Sequence, residues 1–143
     1  MSAEKLYSPA LLAAAVELAA IPPLDNAAFL AEARSPACGS TLAISIRCDD
    51  HGAIQSVGMQ VRACAVGQAA AAVFARHARL RSPADIERAH DAMAAWLQAD
   101  APMPDWPDLE LIAPAANFPG RHGAMLLPWK AARDALSTQT ASS

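Results

Sequence analysis

The chain has 143 residues, 54% of them hydrophobic, with a formal net charge of −3 and three cysteines. That length supports one domain with a real core and is short for two. A mildly acidic balance without a basic run argues against an electrostatic nucleic-acid surface, and an odd cysteine count argues against a disulfide framework, which points to a reducing, cytoplasmic setting.

Taken in order, Ser8-Pro9 opens the first helix, with serine as N-cap and proline at the first helical position, where its missing N–H costs nothing. Leu11, Ala15 and Leu18 share one face, and Ile21-Pro22-Pro23 ends the helix. The apolar run from Ala10 to Pro23 is interrupted by Glu17 and is too short to span a bilayer, so no membrane association is expected. Glu4 and Lys5 do not make the basic start of a secretory signal. Asn26 to Arg34 is ambiguous on composition, because Ala and Leu favour helix. Thr41 to Cys48 is clearer: Leu42, Ile44 and Ile46 alternate with small or polar residues, the period of a half-buried strand. Cys48 falls in phase with them and is assigned to the core. Asp49-Asp50-His51-Gly52 reads as a turn, with His51 solvated at its tip, and Ala53 to Val61 returns as a strand. Ile54 is out of phase there, which suggests a bulge or a later start.

The hairpin leads into Arg62-Ala63-Cys64 and then into an alanine-rich helix ending near His77. Apolar residues on every side mark that helix as buried all round. A thiol at its mouth feels the positive end of the macrodipole, which favours the thiolate, the form that binds metal or attacks sulfur. Cys38 is its candidate companion, in the turn Ser35-Pro36-Ala37-Cys38-Gly39-Ser40, where proline and glycine let the chain reverse and expose a side chain. Arg76, His77, Arg79 and Arg81 then form a solvated, basic helix end. Ser82-Pro83-Ala84-Asp85 starts another helix with Ile86, Ala89, Met93 and Leu97 inward. Ala101 to Pro107 is a proline-rich connector pinned by Trp106. In the last helix Met125, Trp129 and Leu136 form a core stripe; Pro128 either kinks that helix or sits in the first turn of one that starts later. Residues 1–136 are read as one domain, and 137–143 as a polar, disordered tail.

At the two cysteines the chain resembles the iron–sulfur cluster assembly scaffolds, the family of IscU, SufU and the N-terminal domain of NifU. The family's Pro-x-Cys-Gly-Asp turn is matched by Pro36, Cys38, Gly39 and Ser40, and its second cysteine, opening a small-residue helix, by Cys64. Its third cysteine lies in a stretch matched by Phe118 to Ala131, where Ala124 replaces it. The resemblance, which covers about Leu6 to Leu136, implies an α+β fold in which a small antiparallel three-stranded sheet packs against about four to five helices. It also makes Asn26 to Arg34 the first strand.

The function implied is that of a scaffold or carrier rather than an ordinary enzyme. Such a protein receives sulfur from a cysteine desulfurase, combines it with iron and passes the cluster to apo-protein acceptors. Cys38 and Cys64 are the candidate cluster-binding and metal-binding residues, with His122 as a third metal ligand by proximity. A cluster could also be completed by a homodimer in which each copy supplies both cysteines. Two alternatives stand beside this: a SufU-like zinc-dependent sulfur acceptor, and a partner-binding member that has lost metal, since Ala124 cannot coordinate and Ser40 is a far weaker ligand than aspartate.

Overall fold

The computed structural model describes residues 6–142, and the side chains of residues 6–137. Its elements are α1 (Pro9–Val16), continued by a 3-10 turn over Glu17–Ala20, then β1 (Phe29–Arg34), β2 (Thr41–Cys48), β3 (Ile54–Arg62), α2 (Ala65–His77), α3 (Pro83–Leu97) and α4 (His122–Ser142). The three strands form one antiparallel sheet in the order β1-β2-β3. The resemblance therefore names the first strand correctly, although it begins at Phe29, and the architecture is α+β with a three-stranded sheet and four α-helices among the described residues.

Register divides the sheet into two faces. Phe29, Ala31 and Ala33 stand opposite Ile46, Ile44 and Leu42, which stand opposite Val57, Met59 and Val61. These rows line the core, and α4 lies against β1 and β2 while packing on both α2 and α3. The bulge suggested by Ile54 is present: Arg47 pairs with Ser56 and Cys48 with Ile54, so Gln55 is extra and Ile54 swings fully into the core. Cys48, beside that irregularity, is only partly buried against the core, where desolvation first and Asp49 second push its thiol pKa up.

On the other face Gly58 lets the chain cross the sheet closely. A Cβ there would lie 2.3 Å from the Pro22 carbonyl oxygen and 2.7 Å from the Leu24 nitrogen. The crossing is fastened by Met59 N–H to Ile21 C=O at 3.1 Å and Leu24 N–H to Ser45 Oγ at 2.9 Å.

The helices follow their sequence signals. Ser8 caps α1, and Ser82 with Asp85 forms a reciprocal capping box on α3. Trp106 pins the connector: it stacks on Phe74 at 5.4 Å, meets Trp129 edge-on and donates from its indole N–H to the Val73 carbonyl at 3.2 Å. The basic end of α2 differs from the solvated cluster expected. Arg76 pairs with Glu17 and Asp108, His77 Nε2 lies 2.7 Å from Asp108 Oδ2, and Arg81 sits 4.2 Å over the Trp106 ring. The acids come from the end of α1 and from the connector, which only the fold brings together.

Pro128 lies inside α4, so the later helix start is not what the fold adopts. The helix begins at His122 out of a 3-10 turn over Pro119–Arg121. Pro128 cannot donate to the carbonyl four residues back, that of Ala124, and this local loss is offset by fully burying Met125 and Trp129 on either side. The same helix runs to Ser142, so the segment from Ser137 that composition marks as disordered continues it, and Ser143 lies outside the described residues. Adding turns to a helix anchored by buried Ala135 and Leu136 gains one bond per residue without a new nucleus. The core is one contiguous cluster from Leu6 to Leu136. No described helix is long and apolar enough to cross a membrane.

Candidate functional site

Three segments converge at the end of the sheet where β1 turns into β2. The first is the turn from Ser35 to Ser40, closed by Ser35 N–H to Ser40 C=O at 2.9 Å and Gly39 N–H to Ser35 C=O at 2.8 Å. Gly39 takes φ +71 there, a conformation open to glycine, and the turn leaves Cys38 exposed. The second is the mouth of α2: Thr41 pairs with Arg62, so β3 delivers Cys64 to the same end two residues later. The third is the first turn of α4, which touches both. A Cβ on Gly123 would meet Ser35 Oγ at 2.1 Å, and a Cβ on Gly67 would meet the Ala124 Cβ at 3.2 Å. The matched positions Cys38, Cys64 and Ala124 are thus carried by three segments in mutual contact.

Cys38 has the most developed surroundings. Its Sγ lies 3.3 Å from Ser35 Oγ and 3.1 Å from Ser40 Oγ, and both serines are buried while the thiol itself is exposed. The thiol donates to Ser35 Oγ, and either atom can donate in the Ser40 contact; once Cys38 is a thiolate it only accepts, and the rotatable hydroxyl protons turn to it. The Ser35 contact first, then Ser40, with a smaller electrostatic contribution from Arg121, hold the Cys38 thiol below its usual range against the opposing effect of desolvation. Arg121 is itself held by a hydrogen bond to the Tyr7 hydroxyl at 3.1 Å, tying the α4 entry to the segment before α1.

Cys64 is the N-cap residue of α2, in extended conformation at φ −66 and ψ 173, and its side chain makes no capping hydrogen bond. The first turn is closed instead by Gln68, whose backbone N–H reaches the Cys64 carbonyl and whose amide reaches the Ala63 carbonyl, each at 2.9 Å. The partly buried thiol is therefore left out of the cap. His122 opens α4, and its Nε2 lies 2.7 Å from the Ala116 carbonyl oxygen. A carbonyl only accepts, so Nε2–H is the donor in this contact. Ala124 is fully buried. Among the described residues, no three His, Cys, Asp or Glu side chains are grouped as a metal site requires.

The sequence marks Cys38, Cys64, His122 and Ala124, but gives no role to Ser35, Gly123 or Tyr7. The signal for Ser35 was its place at the base of the cysteine turn; Gly123 and Tyr7 become legible only through contacts across the fold.

A three-stranded antiparallel sheet backed by helices is the architecture of the IscU, SufU and NifU-like fold family, and the chain has that fold. Among solved structures it is similar to the N-terminal part of a NifU-like protein from Brucella abortus, with TM-score 0.89 and 26% identity over 99% of each chain. It is also similar to a candidate iron–sulfur cluster assembly scaffold for the SUF system from Fervidobacterium islandicum, with TM-score 0.82 and 18% identity over 94% of this chain and 99% of that one. A third likeness, to a hypothetical protein, has TM-score 0.74 at 19% identity over 90% and 97% of the two chains. No family model and no curated protein matches the sequence.

Proposed function

We propose that this chain is an iron–sulfur cluster assembly scaffold or carrier whose sulfur enters at Cys38. The observation that carries the reading is the exposed Cys38 thiol held between the Ser35 and Ser40 hydroxyls beside Arg121, an arrangement that favours an accessible thiolate. In the acceptor step the Cys38 thiolate attacks the outer sulfur of a cysteine desulfurase persulfide. The partner's S–S bond breaks, its cysteine leaves as thiolate, and Cys38 becomes the persulfide. No external oxidant or reductant is needed.

Cys64, left out of the helix cap, supplies the second thiolate for the iron–sulfur cargo. One chain then offers two thiolates, and two copies around a twofold axis complete a four-thiolate cluster for transfer to apo-protein acceptors. The zinc-organised acceptor is the less supported reading, because Cys38, Cys64 and His122 are not grouped as a metal site requires and His122 Nε2 is bonded to the Ala116 carbonyl.

The test is anaerobic incubation with a cysteine desulfurase and cysteine, then mass spectrometry of the Cys38 peptide; a second portion also receives ferrous iron and dithiothreitol, which reduces persulfide sulfur to sulfide, before iron, zinc and acid-labile sulfide are assayed. We expect added sulfur on Cys38 and its loss in Cys38→Ser. Sulfide and iron together, dependent on both Cys38 and Cys64, support the scaffold. Colourless zinc lost on His122→Ala supports the zinc-organised acceptor. Unmodified Cys38 with neither metal overturns both and leaves a partner-binding protein.

A further inference from the structure

The outer face of the sheet is only half covered. The Pro22–Leu24 crossing lies over Gly58 and is bonded to Ser45, but the two rows nearer the Cys38 turn, Glu32–Ala43–Gln60 and Arg34–Thr41–Arg62, have no described element on top of them. Between these rows is a recess of about 170 Å³ lined by Glu32, Thr41, Ala43, Gln60 and Arg62. Arg34 and Arg62 are exposed and have no acidic partner among the described residues. Arg121 acts electrostatically on Cys38, and Lys130 Nζ sits 3.5 Å from the Arg34 carbonyl. Glu32 is the acid on this part of the sheet, so an end rich in guanidinium and ammonium groups stands on a chain whose net charge is −3.

We propose that this hairpin end of the outer sheet face is a docking surface for an extended, acidic segment of a partner protein. Arg34 and Arg62 flank Thr41 on neighbouring strands, which puts their backbones about 10 Å apart. A segment in the extended polyproline II conformation has three residues per turn at ~3.1 Å each, so acids three positions apart lie on one side about 9 Å apart and reach both guanidiniums. The Thr41 hydroxyl and Gln60 amide supply donors for a carboxylate entering the recess. Glu32 opposes such a ligand and sets the limit of the surface. The use of this surface, to hold a sulfur donor against the adjoining Cys38 turn, rests on the sulfur-acceptor reading; the binding itself does not.

The experiment is a nuclear magnetic resonance titration of the full chain carrying Cys38→Ser, which removes sulfur chemistry from the readout. The probe is a capped peptide with glutamate at every third position and proline between, which holds the threefold extended conformation, and its glutamine analogue is the control. We expect shifts at Arg34, Thr41, Gln60 and Arg62, weakening with salt and absent with the analogue. Arg34→Glu with Arg62→Glu should weaken binding at least ~10-fold, whereas Glu32→Gln should tighten it about two-fold. Arg79→Glu, beyond the far end of the sheet, should change nothing. Equal response to the glutamine peptide, shifts centred on Arg79, or tightening absent in Glu32→Gln overturns the proposal. Absence of sulfur on Cys38 in the desulfurase assay, with this titration positive, overturns the acceptor reading alone.

Discussion

Replacing Gly123 with Ala is the sharpest test of how the fold prepares Cys38, because the substitution is made on another element and leaves the thiol itself unchanged. The new Cβ would lie 2.1 Å from Ser35 Oγ and 3.0 Å from Ser35 Cβ. The hydroxyl is the movable group, so Ser35 rotates away and its contact with Cys38 Sγ is lost. A hydrogen bond to a charged group contributes about 1.5–3 kcal/mol when buried, and at this exposed thiol solvent screening reduces that to about 0.5–1 kcal/mol. The thiolate-to-thiol ratio should fall about two- to five-fold. A less stabilised thiolate is also more nucleophilic, with a Brønsted slope of about 0.4–0.5, so the alkylation rate at neutral pH falls by only about two-fold. The assay is therefore the full pH dependence of iodoacetamide labelling, followed on the Cys38 peptide by mass spectrometry. Its midpoint should move to higher pH in Gly123→Ala and Ser35→Ala alike, and the two changes should not add in the double variant. A midpoint that stays put in Ser35→Ala, or moves in Gly123→Ala when Ser35 is already Ala, would refute the reasoning.

Other consequences can be measured with the same protein. Gly58→Ala forces a Cβ against three backbone atoms of Pro22, Pro23 and Leu24, the closest at 2.3 Å, and disturbs the two hydrogen bonds that fasten the crossing. Overpacking of about 1–3 kcal/mol with about 1 kcal/mol for each bond predicts a loss of about 3–5 kcal/mol, read as a lower urea midpoint at unchanged slope; a loss under about 1 kcal/mol would show that the segment is not held to the sheet. His77 first and Arg76 second hold the Asp108 carboxyl below its usual range, and Arg76 does the same to Glu17. A depressed folded pKa contributes stability that is present above the unfolded value and is lost as pH falls through the folded one. Asp108→Asn should thus lower stability at neutral pH and flatten its fall in acid; an acid-unfolding curve parallel to the parent's would contradict this.

Much of the local structure was written in the sequence. Ser8 and Ser82 with prolines behind them start helices because the missing N–H is free at a first turn, and Leu42, Ile44 and Ile46 alternate because a strand presents every second residue to one face. Cys38 in a proline–glycine turn and Cys64 at a helix mouth were visible for the same local reasons. Even the bulge left a trace in the phase of Ile54.

Tertiary structure decided what local chemistry leaves open. Phe29–Arg34 is a strand despite its helix formers, because pairing with β2 outweighs propensities worth fractions of a kcal/mol per residue. Pro128 stays within α4 because burial of Met125 and Trp129 outweighs one missing hydrogen bond. The partners of Arg76, and the Gly123 contact that sets Ser35 against Cys38, join residues far apart in the chain. Sequence determines which side chains stand on each face of a helix or strand; which faces meet, and therefore which thiol is held ready, follows only from packing.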